Sequence, residues 1–194
     1  MLFRSRYYYP TSKNTLWVYR LNTGVAVPRG SSKILPWEKY FFTGGSNSIR
    51  AWQPRRLGPG AYRQSTDAVL NNFIAEQPGD VLIETNLELR QKLFSFFEGA
   101  LFIDAGNVYT LKQDDSRPGG NFEAKSFIPR MALGTGAGLR MNFSFLVIRF
   151  DLGIKTYDPS RNAGEKWVIK DFSFKRKRDG NQSSLLNIGI GYPF

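Results

Sequence analysis

The chain has 194 residues, 27 Lys and Arg against 16 Asp and Glu, and a formal net charge of +11; 41% of it is hydrophobic and 15% aromatic. It has no cysteine and no histidine, which excludes disulfide scaffolds, thiolate nucleophiles, Cys/His zinc sites and Ser-His triads. The positive excess points to anionic contacts: nucleic acid, lipid head groups or an acidic partner.

The opening "MLFRSRYYYP" lacks the apolar stretch and cleavage site of a signal peptide and reads as a strand over 2–10. In "LWVYRLNTGVAV", Trp17, Tyr19, Leu21, Thr23, Val25 and Val27 oppose Arg20, Asn22, Gly24 and Ala26, which predicts a strand over 15–27. A long connection, 28–79, follows. Its stretch "GGSNSIRAWQPRRLGPG" (44–60) is rich in turn residues, yet carries Ile49, Arg50 and Trp52 at its centre. "VLIETNLELR" sets Val81, Ile83, Thr85, Leu87 and Leu89 against Leu82, Glu84, Asn86, Glu88 and Arg90, a strand over 80–91. Further strands are predicted over 97–109, 127–141, 145–156 and 184–194. In "RMALGTGAGLR", Gly134, Gly136 and Gly138 share a face with Arg130 and Arg140. In "FLVIRFDLGI", Arg149, Asp151 and Gly153 share one. No helical period is evident beyond room for a short turn within 160–180.

No apolar run reaches the ~18 residues of a membrane-spanning helix. Transmembrane strands need only ~9–11 alternating residues, so a β-barrel escapes that test. Alternation alone also suits a soluble antiparallel sheet. Two details favour the barrel. Charges and mid-strand glycines share the polar faces, as in a polar lumen, and aromatics such as Tyr7, Tyr8, Tyr9, Trp17, Phe96, Phe97, Tyr109 and Tyr157 gather at strand ends. Short turns at 11–14, 92–96 and 142–144 alternate with long connections at 28–79, 110–126 and 157–183, the asymmetry of outer-membrane barrels.

Three stretches resemble the C-terminal part of the BamA/TamA family of outer-membrane assembly barrels, in the bacterial surface antigen superfamily. "GGSNSIRAW…RLGPG" is similar to the family's long sixth extracellular loop, with its GG…(V/I)RG(F/Y)…GP signature. Ile49, Arg50, Trp52, Gly58 and Pro59 fill its places, and Ala51 stands where the family has glycine. "NLELR" and "FIDAGNVY" resemble the next two strands, whose lumenal acids hold the loop arginine; motif match makes these Glu88 and Asp104. Glu88 also falls on the polar face by alternation alone. The terminus "NIGIGYPF" resembles a barrel-assembly signal, with Asn187, Gly189, Tyr192 and Phe194 in its places. The expected side for Tyr192 and Phe194 is the lipid face.

The resemblance implies an all-β antiparallel transmembrane barrel of sixteen strands, of which residues 1–194 would supply about the last seven as an incomplete barrel. POTRA domains and the earlier strands would lie outside this sequence, and 28–79 would be an extracellular loop folding into the lumen. It implies a bacterial outer-membrane protein that inserts or translocates others, without enzymatic activity, cofactor or metal. Expected partners are outer-membrane lipid and lipopolysaccharide, client outer-membrane proteins and periplasmic or lipoprotein accessory subunits, with no nucleic acid. Within the superfamily, a two-partner secretion transporter and the barrel anchor of a fused lipase are alternatives; a basic soluble β-domain binding nucleic acid is another. Some assignments have two readings. Arg50 is either a lumenal ion-pair partner or a solvated loop charge. Trp52 is either part of the signature or a plain hydrophobic plug, and Glu84 either a further partner or a group that wets the lumen. Gly189 and Gly191 suit a weakly paired seam or ordinary barrel packing. "KWVIKDFSFKRKR" faces lipopolysaccharide, water or nucleic acid. "GTGAG" lies inside a strand pattern with no helix after it and is no dinucleotide fingerprint, and Asp151 and Glu165 form no recognisable acid/base pair.

Overall fold

The computed structural model describes residues 1–29, 34–64, 76–143, 145–171 and 182–194. Most of the basic stretch after Asp171 and parts of the first long connection lie outside the described residues. Seven strands follow in chain order: β1 (Leu2–Pro10), β2 (Thr15–Val25), β3 (Val81–Phe94), β4 (Phe97–Tyr109), β5 (Ala132–Phe143), β6 (Leu146–Tyr157) and β7 (Ser184–Ile190). They form one antiparallel sheet in the order β1-β2-β3-β4-β5-β6-β7, with β1 and β7 as its edges. The sheet does not close on itself, as befits part of a barrel.

Register decides which side chains meet. One inner-face row runs Val18, Glu88, Phe102, Gly136, Gly153, Leu185 from β2 to β7. The row beside it runs Leu16, Arg90, Ala100, Gly138, Asp151, Asn187. Because strand side chains alternate with period two, every second residue of each strand joins this face. Arg20, Asn22, Glu84, Asn86, Glu88, Arg90, Asp104, Arg140, Arg149 and Asp151 are buried there. The opposite face exposes Tyr19, Leu87, Leu101, Ile103, Leu139, Leu186, Ile188 and Ile190. An apolar face this continuous suits the hydrocarbon surroundings of a transmembrane barrel.

The small hydrophobic core belongs to a connection: Ile49, Ala51, Trp52 and Leu57 of the loop pack with Ala132 of β5. The sheet's inner face is therefore roofed by chain from 41–60. Strand limits differ from the sequence reading at several points. β2 ends at Val25, and β3 continues to Phe94 before a tight turn with Ser95 at φ 48°. β5 begins at Ala132 because Pro129, which cannot donate to a ladder, sits in a 3-10 turn over Ile128–Arg130. A second such turn, Val168–Asp171, occupies the region where a short helix was expected.

The largest difference is at the end. β7 stops at Ile190, and Gly191 adopts φ 80°, a left-handed conformation that turns the last residues off the ladder. Among the end aromatics, Tyr7, Tyr9, Trp17 and Phe96 are exposed, and Phe96 stacks on Phe97 at 4.5 Å. Tyr109 is instead covered, with Phe122 packed edge-on at 5.7 Å and its hydroxyl donated to the Phe127 carbonyl at 2.8 Å.

Candidate functional site: a loop docked on the charged inner face

The loop's own geometry aims Arg50 downward. Gly45 N–H donates to Trp52 O at 2.8 Å, closing a tight arch, with Trp52 N–H bonded to Ile49 O at 3.1 Å inside it. Gly44 stands at φ 99°, and a Cβ there would lie 2.4 Å from Gln53 O, so the double glycine is a steric requirement of the arch. The far end of the segment is anchored at Gly58, Pro59 and Gly60. Asn107 Nδ2 donates to Gly60 O at 2.8 Å, and Gly60 N–H donates to Val108 O at 2.8 Å.

Arg50 is fully buried at the arch's lowest point. Its Nε and Nη2 donate to the two oxygens of Asp104, each at 2.9 Å, and its backbone N–H donates to Asp104 Oδ2 at 3.0 Å. Nη1 donates to Glu88 Oε2 at 2.5 Å, and Asp151 Oδ2 lies 3.8 Å away. The guanidinium stacks 3.4 Å above the Phe102 ring. A planar fork matches a carboxylate and an aromatic face simultaneously, which an ammonium cannot do. Stripping one partner from a buried pair of this kind typically costs ~3–5 kcal/mol, less where water reaches it.

The acids are themselves held. Asn86 Nδ2 donates to Asp104 Oδ1 at 2.8 Å. Glu88 Oε1 accepts from Arg90 Nε at 2.7 Å and from Arg140 Nη2 at 2.9 Å. Arg140 also approaches Asp151 at 3.2 Å, and Arg149 Nη1 donates to Asp151 at 2.9 Å. Glu84 belongs to a neighbouring cluster: it accepts from Asn22 Nδ2 at 2.9 Å, Thr43 Oγ1 at 2.7 Å and the Ser48 hydroxyl, with Arg20 at 3.5 Å. It is thus a loop partner, but to Thr43 and Ser48 rather than to Arg50.

Close approach explains the mid-strand glycines. A Cβ on Gly153 would lie 2.5 Å from the Arg50 carbonyl oxygen, and one on Gly134 2.9 Å from the Ala51 Cβ. The methyl of Ala51 is accommodated because these two strand positions have no side chain. Trp52 is buried beside Ala51, with Lys155 Nζ 5.2 Å from its ring.

The four terminal residues singled out from sequence all reach the inner face. Asn187 Nδ2 donates to the Arg50 carbonyl at 2.9 Å, and Gly189 lies beneath the Arg149 guanidinium. Past Gly191, the chain turns inward. Tyr192 lies under Arg90 at 4.4 Å and accepts from Asn142 at 3.2 Å; Phe194 is buried, with Arg20 at 4.9 Å from its ring. The lipid-facing position expected for both aromatics is therefore not the observed one, because Gly191 breaks the strand's alternation before them.

Arg90, Arg140, Arg149, Asp151 and Phe102 enter the site without having been singled out. Alternation had set Arg90, Arg140, Arg149 and Asp151 on polar faces, and cross-strand register supplies their partners. Among the described residues, each acid beneath the loop lies within ion-pair distance of an arginine: Glu84 of Arg20, Glu88 of Arg50, Arg90 and Arg140, Asp104 of Arg50, and Asp151 of Arg140 and Arg149. Among the described residues, no acidic cluster has metal-binding geometry.

The fold is similar to BamA from Haemophilus ducreyi lacking POTRA domains 1–3, at a TM-score of 0.59 and 18% identity over 84% of this chain and 31% of that one. CdiB from Acinetobacter baumannii aligns at a TM-score of 0.45 and 18% identity, over 81% of this chain and 23% of that one. The chain thus spans about a third or less of either structure. The Omp85 superfamily domain matches residues 2–176, almost the whole of it, and the chain belongs to that superfamily of bacterial outer-membrane β-barrels.

Proposed function

We propose that this chain is the C-terminal, loop-bearing part of a barrel that inserts client proteins into the bacterial outer membrane or translocates them across it. The observation that supports this reading best is Arg50, fully buried and shared between Asp104 and Glu88. The long connection containing it enters the lumen from the outer side of the cell and braces β3, β4 and β6 from within. The brace keeps a polar, hydrated lumen in shape while the barrel's seam works. There, an edge strand offers unpaired N–H and C=O groups to an incoming client strand, and edge pairing aligns it for insertion. The apolar outer face contacts lipid, and basic connections on the exterior contact lipopolysaccharide phosphates. No catalytic step is required, because templated strand pairing and lipid burial drive insertion.

The test is complementation with the full-length protein in cells depleted of the wild type. Arg50→Ala, present at normal level, is expected to lower the folded, heat-modifiable forms of several outer-membrane porins. Unchanged porin assembly with a released loop would contradict the reading. Loss of one secreted passenger alone would move it to a dedicated secretion transporter.

A further inference from the structure

Arg50 is not the loop's only tie to the sheet, and two others converge on the strands at one edge. Asn187 of β7 grips the loop's main chain through the Arg50 carbonyl at 2.9 Å, whatever the arginine side chain does. Arg149 of β6 donates from Nη1 to the Ser46 carbonyl at 2.9 Å and from Nη2 to Asn47 Oδ1 at 2.5 Å. That guanidinium lies against Gly189 of β7, where an added Cβ would stand 2.7 Å from Nε and 3.0 Å from Cζ. Any larger residue would displace it.

These contacts depend on register. Arg149 pairs with Gly189, and Asp151 with Asn187, in the β6–β7 ladder. A slip of one residue would carry Asn187 to the outer face and bring a bulky side chain under Arg149. β7 is also the shortest of the seven strands, with seven residues. It has the least ladder of its own to hold it.

We propose that Asn187 and the Gly189-seated Arg149 are positioning residues that couple pairing of β7 with β6 to docking of the loop. The loop stabilises the edge strand, and the correctly registered edge strand stabilises the loop. By thermodynamic linkage, each event favours the other by the same factor. The proposal rests on the reading of 44–60 as a docked lumenal loop. It gives the glycine and asparagine of the terminal motif a role in the folded barrel.

Hydrogen exchange followed by mass spectrometry on the full-length protein in lipid nanodiscs tests it. Asn187→Ala and Gly189→Ala, both in β7, are expected to speed exchange of amides in 44–60 by roughly three- to tenfold, the scale of one lost hydrogen bond. Asn47→Ala, an exposed loop change, is expected to speed exchange across Ser184–Ile190, an effect that mere local packing at Asn47 would not transmit. Unchanged β7 exchange in Asn47→Ala, or unchanged loop exchange in both strand variants, would overturn the coupling. Should the β7 variants fail to fold, Asn47→Ala decides alone. Arg50→Ala serves as reference: if it too leaves the loop protected, the docked-loop reading itself fails.

Discussion

Two arginines five residues apart in one loop have opposite surroundings. Arg50, at the tip of the arch, has no exposed side-chain surface and meets Asp104, Glu88 and the Phe102 ring. Arg55, on the loop's shoulder, meets Glu76 with both contacts at 3.3 Å, and its side chain is 54% exposed. Its backbone is at φ 61°, and its carbonyl accepts from Gln77 N–H at 2.8 Å, so its main chain is placed while its guanidinium, 4.9 Å from the Phe42 ring, stays partly open to water. Chemically similar ion pairs therefore differ in weight by burial. Water screens the outer pair and competes for it, whereas the inner pair is shielded: Asp104 takes a bidentate contact from Arg50, and Glu88 is shared by Arg50, Arg90 and Arg140.

The contrast is easiest to break at Arg50. Arg50→Ala is expected to lower the full-length barrel's resistance to denaturant unfolding by ~3–5 kcal/mol, less if water fills the gap. Arg50→Lys should recover only part of this, because the bidentate fork and the ring stack are lost together. Next comes Gly153→Ala. Its methyl would stand 2.5 Å from the Arg50 carbonyl oxygen, and lifting the loop to relieve that contact is expected to cost ~1–3 kcal/mol. Protease accessibility of 44–60 should rise with it. Phe102→Leu keeps an apolar side chain but removes the face beneath the guanidinium, with an expected loss of ~0.5–2 kcal/mol in the same unfolding assay. Arg55→Ala is the smallest, within about 0.5 kcal/mol, since exposed pairs contribute little.

The sequence carried the strand faces more fully than the strand partners. Alternation placed Glu84, Glu88, Arg140, Arg149 and Asp151 on polar faces because a period of two needs only one strand to be read. Which of them meet is set by register across three ladders, β3–β4, β4–β5 and β5–β6, and the pattern of a single strand does not encode it. Arg140 bridging Glu88 and Asp151 was thus out of reach, although each residue was in view. Motif resemblance led to Arg50, which periodicity could not reach because the loop has no period, and it named Glu88 and Asp104 as the partners. The inward turn of Tyr192 and Phe194 had a visible cue in Gly191 and Pro193, residues that favour leaving a ladder. Extending the strand to the last residue overrode that cue. The mid-strand glycines were legible as unusual, but their purpose was not: Gly134 and Gly153 make room for backbone and side chain arriving from a segment some eighty or more residues earlier.

The most direct measurement of the central claim is a double-mutant cycle between Arg50 and Asp104, scored by denaturant unfolding of the full-length barrel in lipid. An Arg55–Glu76 cycle serves as the outer reference. The expected result is a coupling of ~2 kcal/mol or more for the inner pair and under ~0.5 kcal/mol for the outer one. Additive effects of Arg50→Ala and Asp104→Ala, within ~0.5 kcal/mol, would contradict the claim that a buried arginine pins this loop to the barrel wall.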